Sequence, residues 1–404
     1  MRFRSSDRRS SPGGRATGFE YLPADDIYLD SACQSLRPQP VQGALAEYYT
    51  SYGACGGRVK YAWGQKVDAR VLDVRRSAAS WLGLSRHYVT AFTLNTSYGI
   101  NLLLQQLPRG EFSRVVTSTI EHNSVFLSTM TAARRLSVPR QVVARTAGGE
   151  LDLAASDRER AVVVVNVVSN VDGSTLAGLA ELTQDVHRRG GIVIVDAAQA
   201  AAHSPRLVAG TDVDAVCFSA HKVYGPSLGV VVAREELLRS LDVSFVGGGM
   251  VSGVSRDGFD LIPEEPWSLL EPGLQAWGEI IGLGAALDWL RDVKPLGHSP
   301  HDHITALSAS LFQGLSEIPG LHVVNTEPAP VISVWSDRVD AHRLAVFLSQ
   351  AGIMVRSGYF CAHYWLTEVL GLPPLLRFSL GLHNTPEDID TAVHTLSKLL
   401  RGLR

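Results

Sequence analysis

Near the middle of the chain, an aspartate and a lysine each follow a short, largely apolar run. Asp196 comes directly after Ile192–Val195, and Lys222 comes shortly after Val213–Phe218. Short apolar runs that are rich in β-branched residues are typical of buried parallel strands. In open α/β sheets, ligands bind at the carboxyl ends of such strands. The pair therefore suits a cofactor that needs a counter-ion at one end and an amine, for a Schiff base, at the other.

Polar residues open a predicted helix at 99–107. Asn95, Thr96 and Ser97 come just before its apolar residues, and these residue types are helix-start signals. They would also place hydroxyl groups and free backbone N–H groups at the positive end of the helix, where a phosphate binds well. Helix capping alone would explain the same residues, so both interpretations stay open at this point.

The elements around these residues alternate between strand and helix. Strands are predicted at 89–93, 114–117, 161–168, 192–195 and 213–218, with helices between them. Polar residues follow the strands at their carboxyl ends. This order predicts an α/β fold with a large, doubly wound and mainly parallel sheet.

A different pattern begins near residue 293 and predicts a smaller α+β unit. A short hairpin within 251–276 and a long helix at 280–290 precede it. The smaller unit has predicted helices at 302–317, 341–351 and 386–401, and predicted strands at 321–325, 331–335, 353–357 and 375–380. The predicted division is a tail at 1–18, a large domain at 19–292, whose first segment can pack on the small domain, and a small domain at 293–404.

Composition excludes several classes of protein. The formal charge of -3 over 404 residues gives no electrostatic footprint for nucleic acid or for an anionic membrane. No apolar run is long enough to span a membrane. The four cysteines have no metal-binding spacing, so we expect neither a zinc site nor a disulfide framework, and we expect a reducing, cytoplasmic compartment. The Arg- and Ser-rich residues 1–18 indicate a disordered tail, with a transit peptide as the alternative.

Five motifs together resemble the class V aminotransferases, which are pyridoxal phosphate (PLP) enzymes of fold type I. Within that group the chain is most similar to cysteine desulfurases and selenocysteine lyases, over about residues 27–400. The motifs are Asp196-Ala-Ala-Gln199, Ser219-Ala-His-Lys222 followed by Tyr224-Gly-Pro226, Glu121-His122, Val168-Ser-Asn170 and Val355-Arg-Ser-Gly358.

The resemblance implies how the cofactor would be held. Lys222 would form the covalent bond and then act as a general base, which requires a lowered pKa. Asp196 would keep the pyridine nitrogen protonated, and His122 would stack on the ring. Two further groups are implied: Asn170 and Gln199 at the phenolate oxygen, and Thr96, Ser97, Ser219 and His221 at the phosphate. Structural capping is the alternative for Asp196, Ser219 and His221.

The resemblance also implies a substrate end of the site. Arg377 would bind the α-carboxylate through two parallel hydrogen bonds, and Arg356 would be a second arginine near the reactive loop. In Arg356-Ser-Gly-Tyr-Phe-Cys361, Cys361 has the position of the thiol that takes the sulfur as a persulfide. A thiolate near arginines is activated. A small buried residue is the alternative role for Cys361.

Three positions depart from the family pattern. Leu274 follows Glu271-Pro-Gly273 where a threonine that reaches the neighbouring subunit is common. Tyr61 stands where family members often have a histidine. Tyr359 and Phe360 replace a polar pair before Cys361, so we expect a more aromatic mouth to the pocket.

Three functions remain open from the sequence. The first is desulfuration of L-cysteine, in which Cys361 takes the sulfur and alanine leaves. The second is C–S β-elimination from an S-substituted cysteine, or a decarboxylating or aminotransfer variant, on the same cofactor. The third is a non-catalytic scaffold. The resemblance also implies a homodimer, and a desulfurase would need a protein that accepts the sulfur.

Overall fold

A computed structural model describes residues 18–84 and 87–402. The predicted tail at 1–18 therefore lies, apart from Gly18, outside the described residues. Within the described ranges, no helix has the length and the apolar composition that crossing a membrane requires.

The described residues form fifteen strands and eleven α-helices, together with short 3₁₀ and π turns. The strands are β1 (Ile27–Tyr28), β2 (Tyr88–Thr93), β3 (Arg114–Ser118), β4 (Arg140–Val143), β5 (Ala161–Asn166), β6 (Ile192–Asp196), β7 (Ala215–Ser219), β8 (Gly229–Arg234), β9 (Val251–Val254), β10 (Phe259–Leu261), β11 (Leu321–Val323), β12 (Val331–Ser336), β13 (Ile353–Met354), β14 (Arg356–Gly358) and β15 (Leu375–Ser379). The helices are α1 (Gln39–Ser51), α2 (Ala62–Leu82), α3 (Thr96–Gln105), α4 (Asn123–Leu136), α5 (Leu179–Arg188), α6 (Ala200–His203), α7 (Glu235–Arg239), α8 (Trp277–Asp292), α9 (Pro300–Ser316), α10 (Ala341–Gln350) and α11 (Pro386–Gly402).

Seven strands form the large sheet, in the order β2-β8-β7-β6-β5-β3-β4. The strands from β4 to β7 are mutually parallel, whereas β8 runs antiparallel to both β7 and β2. This confirms the prediction of an α/β fold with a mainly parallel sheet. The antiparallel β8 follows because the chain returns after Lys222 through a short turn instead of a crossover helix.

Both faces of the large sheet are buried. In β5, Val162 and Val164 belong to one apolar cluster, while Val163 and Val165 belong to another. Side chains alternate between the two faces of a strand, so an unbroken apolar run predicts a strand that is covered on both sides. Helix α3 lies against α4 at one face, and α5 packs on β6.

The second sheet has four antiparallel strands in the order β11-β12-β15-β14. Helices α9, α10 and α11 pack together beside it. The single strand predicted at 353–357 is wrong, because the chain changes partners there. β13 pairs in parallel with β1, whereas β14 pairs with β15.

The segment before α1 therefore connects distant parts of the chain. Ile27 and Tyr28 pair with Ile353 and Met354, and Asp30 forms an isolated bridge with Ser379. The limits of the two domains stay a prediction. The short hairpin predicted within 251–276 is confirmed as β9 and β10.

Candidate active site

The carboxyl ends of the large sheet and the edge of the small sheet enclose one cavity of ≈ 330 Å³. All twelve site residues that the sequence predicts line it, although they are spread along most of the chain. They are Thr96, Ser97, His122, Asn170, Asp196, Gln199, Ser219, His221, Lys222, Arg356, Cys361 and Arg377.

Lys222 ends a 3₁₀ turn that directly follows β7. The turn is closed by Val223 N–H, which donates to the Ala220 carbonyl at 2.8 Å, and is fixed from outside by Ser35, whose hydroxyl donates to the His221 carbonyl at 3.0 Å. Burial lowers the pKa of the Lys222 amine, and the nearby Asp196 carboxylate opposes this. The lowered pKa favours the neutral, nucleophilic amine.

Asp196 is the last residue of β6 and lies opposite Asn166 of β5. Its side chain is buried and accepts the Ala198 N–H at 2.9 Å. Burial raises the pKa of Asp196, while that hydrogen bond and Lys222 act in the opposite direction. A buried carboxylate that lacks a full counter-ion is suited to pair with a cationic group of a ligand.

His122 is the N-cap of α4. Its Nδ1 accepts the Ser124 N–H at 3.0 Å, so the neutral ring carries its proton on Nε2. Burial, together with Lys222 and Arg377, lowers the pKa of His122 to about 3. The imidazole is therefore uncharged at neutral pH, and it can lie against a cationic ring without electrostatic repulsion.

Four hydroxyl groups meet at the N-terminus of α3. The Thr96 N–H donates to Ser219 Oγ at 2.9 Å, and the Thr96 and Ser219 hydroxyls share a hydrogen bond of 2.6 Å. Ser97 and Ser124 share another. Because these hydroxyls lie at the positive end of α3, the cluster suits a phosphate. Ser124 is missed by sequence reasoning, because it starts a different helix.

The two predicted amide side chains already have protein partners. Asn170 Nδ2 donates to the Phe360 carbonyl at 2.7 Å, and Gln199 Nε2 donates to the Ala32 carbonyl at 2.9 Å. Each amide nitrogen keeps a second hydrogen for a ligand. Within the described residues, the buried Asn170 Oδ1 has no hydrogen-bond partner.

Arg377 lies in the middle of β15, directly opposite Arg356 of β14. Like charges in such a pair repel, and Asp30 compensates for both. Arg356 Nη2 donates to Asp30 Oδ2 at 2.7 Å, and Arg377 Nη2 donates to Asp30 Oδ1 at 3.2 Å. Burial lowers the pKa of Arg377, whereas hydrogen bonding to Asp30 raises the pKa of Arg356. Sequence reasoning finds both arginines and misses Asp30.

Cys361 is exposed and stands in a turn with unusual backbone angles. Phe360 and Cys361 have φ of 50° and 58°, in the left-handed region that costs non-glycine residues on the order of 1–3 kcal/mol each. Two contacts hold the turn to the large sheet: Asn170 at the Phe360 carbonyl, and the Asn123 N–H, which donates to the Cys361 carbonyl at 2.6 Å. Cys33, which the sequence did not single out, lines the same cavity.

The three departures from the family pattern have different surroundings. Phe360 lines the cavity and lies under the Arg377 guanidinium at 4.7 Å, whereas Tyr359 lies beside His363. Tyr61 and Leu274 are exposed and do not line the cavity.

Comparison with known proteins identifies the family. The family model described as "Aminotransferase class-V" matches residues 27–392. The chain belongs to this family. A probable cysteine desulfurase from Chlamydia muridarum is 33% identical to this chain over 389 residues. The match covers 94% of this chain and 96% of the relative.

Solved structures agree with the predicted fold type I. The crystal structure of the cysteine desulfurase CsdA from Escherichia coli has a TM-score of 0.85 at 28% identity, and the match covers 96% of this chain and 98% of that one. An apo cysteine desulfurase from Thermococcus onnurineus also has a TM-score of 0.85, at 30% identity, with 94% and 96% covered. The predicted fold and family are therefore confirmed.

Proposed function

We propose that this member of the class-V aminotransferase family is a PLP-dependent cysteine desulfurase. It would transfer the sulfur of L-cysteine to Cys361 and release alanine. The observation that carries the proposal is that Cys361 lines the same cavity as Lys222 and Arg377. A nucleophilic thiol, an amine of lowered pKa and a carboxylate-binding arginine are what this reaction requires. The relatives that carry the name cysteine desulfurase support it.

The residues that line the cavity suit pyridoxal phosphate. The hydroxyl cluster at α3 suits the phosphate, Asp196 suits the pyridine nitrogen, and the unpartnered Asn170 Oδ1 shows that the cavity wall contains polar atoms that the protein itself does not satisfy. His221, whose pKa burial lowers to about 4, adds a neutral donor near the phosphate end. When bound, the cofactor supplies an electron sink for a carbanion at the substrate Cα.

Lys222 has two tasks in the proposed reaction. Its amine would hold the cofactor, and the freed amine would accept the proton from the substrate Cα. Asp196 would pair with the protonated ring nitrogen. His122, as a neutral imidazole, would lie against the ring.

Arg377 and Cys361 act on the substrate itself. Arg377 binds the α-carboxylate, because its Nε and one hydrogen on each terminal nitrogen remain for a ligand. The Cys361 thiolate attacks the cysteine sulfur, and the S–S bond forms as the Cβ–S bond breaks. Cβ then takes one proton and Cα regains the proton that it gave to Lys222, which yields alanine. Cys361 is left as a persulfide, and its exposure allows a thiol of an acceptor protein to take the outer sulfur.

Turnover of L-cysteine by the cofactor-loaded protein tests the proposal. We expect alanine as the carbon product and loss of its formation in Cys361→Ala, at least about a hundredfold, because no other thiol is held at that turn. Cys55→Ala is the matched control, since Cys55 is exposed and lies outside the cavity.

Other products would redirect the assignment. Pyruvate and ammonia instead of alanine, or full turnover by Cys361→Ala, would show a C–S β-lyase, which does not need this thiol. No turnover of cysteine or S-alkyl cysteines by protein that holds the cofactor would contradict both reactions.

A further inference from the structure

Asp30 lies between Arg356 and Arg377, which line the cavity, although Asp30 is not itself one of the lining residues. Its carboxylate accepts from Arg356 Nε at 2.9 and 3.1 Å and from Arg356 Nη2 at 2.7 Å, and from Arg377 Nη2 at 3.2 Å. β1 and the bridge from Asp30 to Ser379 fix the backbone here. Asp30 thus reaches the site from the beginning of the chain, whereas both arginines come from its end.

The three side chains have different environments. The Arg377 side chain is only 3% exposed and that of Asp30 is 12% exposed, but 44% of the Arg356 side chain is exposed. Arg377 is therefore fixed, while Arg356 lies along the solvent side of Asp30. Since one carboxylate neutralises one guanidinium, the trio carries a single net positive charge.

Other ionisable groups line the same cavity, and the charge of Arg377 also acts on Lys222 and His122. Asp196 and Lys222 influence each other across the cofactor part of the cavity. The pKa values of His122 and His221 are lowered to about 3 and about 4, so both rings are neutral at pH 7. Cys33 and Cys361 are the remaining ionisable groups that line the cavity.

We infer that Asp30 determines substrate specificity, by limiting the site to amino acids with one carboxylate. The inference rests on the proposed function, in which Arg377 binds the α-carboxylate. Asp30 accepts from Arg356 Nε and Nη2 and neutralises the charge of Arg356, so Arg356 attracts a second carboxylate only weakly. The single carboxylate of a substrate such as cysteine balances the one net positive charge of Asp30, Arg356 and Arg377. A dicarboxylic amino acid has a second negative charge that these three side chains do not balance.

Binding of L-alanine and L-aspartate to the cofactor-loaded protein tests this inference. The two ligands differ only in the side-chain carboxylate, and their dissociation constants follow from titration of the cofactor absorbance. We expect the wild type to prefer alanine. In Asp30→Asn, the released Arg356 can pair with the second carboxylate. The dissociation constant of aspartate should therefore fall relative to that of alanine by about tenfold or more, which is on the order of 1.4 kcal/mol.

Asp157→Asn is the matched control, because Asp157 also pairs with an arginine, Arg114 at 2.6 Å, but lies outside the cavity. It should leave the ratio of the two constants unchanged. If Asp30→Asn weakens both ligands equally, Asp30 only supports the local structure and the inference is wrong.

If Asp30→Asn does not fold, Arg356→Gln alone keeps the test decisive, because unchanged alanine binding in that variant contradicts the inference. Arg356→Gln leaves Asp30 to neutralise Arg377, so alanine binding should weaken by about tenfold or more. Asp30→Asn combined with Arg356→Gln restores one net positive charge and should recover alanine binding without admitting aspartate. Failure of the double variant to recover alanine binding contradicts the inference. If the wild type forms alanine from cysteine but the ratios do not change, only the inference about Asp30 fails.

Discussion

At the scale of single residues, the site depends on groups whose charge the protein has changed. Burial lowers the pKa of Lys222 and of His122, and it raises the pKa of Asp196. The shifts of Lys222 and His122 favour a neutral amine and a neutral imidazole, and the shift of Asp196 means that its ionised form depends on a nearby cation. In the proposed function, pyridoxal phosphate would offer its carbonyl to Lys222, its aromatic ring to His122 and its protonated ring nitrogen to Asp196.

Lys222 is expected to be the residue that bonds to the cofactor. Its neutral amine can attack the cofactor carbonyl, and borohydride reduction should make the bond permanent, so that mass spectrometry of peptides finds the cofactor on Lys222. Lys222→Ala should lose this label. Lys66→Ala is a suitable control, because Lys66 is exposed and paired with Glu47. A label that persists on another lysine in both variants would contradict the assignment.

At the scale of elements, the register of β5 and β6 positions Asp196. The buried carboxylate of Glu121 supports that register. Asn166 of β5 lies opposite Asp196, and its N–H donates to Glu121 Oε2 at 2.7 Å. Arg145 lies 3.8 Å from the same carboxylate. Burial raises the pKa of Glu121 to about 7 from its ordinary value of 4.5.

This pKa predicts how stability depends on pH. Between pH 4.5 and about 7, the folded protein keeps the Glu121 proton, which the unfolded chain releases. The contribution of Glu121 to the free energy of unfolding is therefore full below pH 4.5 and is lost as the pH rises through about 7. Glu121→Gln lacks this loss, so its stability relative to the wild type should increase across that window.

Urea unfolding at a series of pH values measures the effect. Below about pH 7 the folded wild type holds Glu121 as a neutral carboxyl, so Arg145, which stays protonated, faces an uncharged side chain in both proteins. The exposed Glu327→Gln is the control. A difference between Glu121→Gln and wild type that does not change from pH 4.5 to 8 would mean that Glu121 is ionised throughout.

At the scale of the whole molecule, an exposed apolar patch lies close to the cavity. Phe245, Val246 and Leu274 are 50%, 44% and 78% exposed, and the Gly273 N–H donates to the Gly248 carbonyl at 2.8 Å, which joins their two loops. Phe245 also lies against Tyr98, in the first part of α3. We propose that a second copy of the chain covers this patch in a homodimer, since exposed apolar patches mark association surfaces.

Sedimentation of the purified protein tests the dimer. We expect the wild type to be dimeric and Leu274→Asp combined with Phe245→Asp to be largely monomeric, because a buried unpaired carboxylate is costly. Val346→Asp, at an exposed position of α10, is the control. A wild type that is monomeric and fully active would contradict the proposal.

The sequence predicts those parts of the site that follow from local patterns. Asp196 and Lys222 follow apolar runs, and the carboxyl ends of parallel strands lie at the same edge of a sheet. The two residues are therefore expected to lie close together. Asp30, Ser124 and Cys33 have no such signal, because contacts between segments that are far apart in the chain bring Ser124 and Cys33 to the cavity and Asp30 to its two arginines. For the same reason, the sequence does not show that residues 353–357 form two strands, one paired with β1 and the other with β15.

The location of the sulfur after one turnover tests the central claim most directly. Cofactor-loaded protein is mixed with less than one equivalent of L-cysteine, alkylated and digested, and mass spectrometry locates the additional sulfur atom. The proposed function predicts it on Cys361, in the wild type and in Cys55→Ala, with alanine in equal amount. Sulfur found on Cys33 instead, or on no cysteine while pyruvate forms, would contradict it.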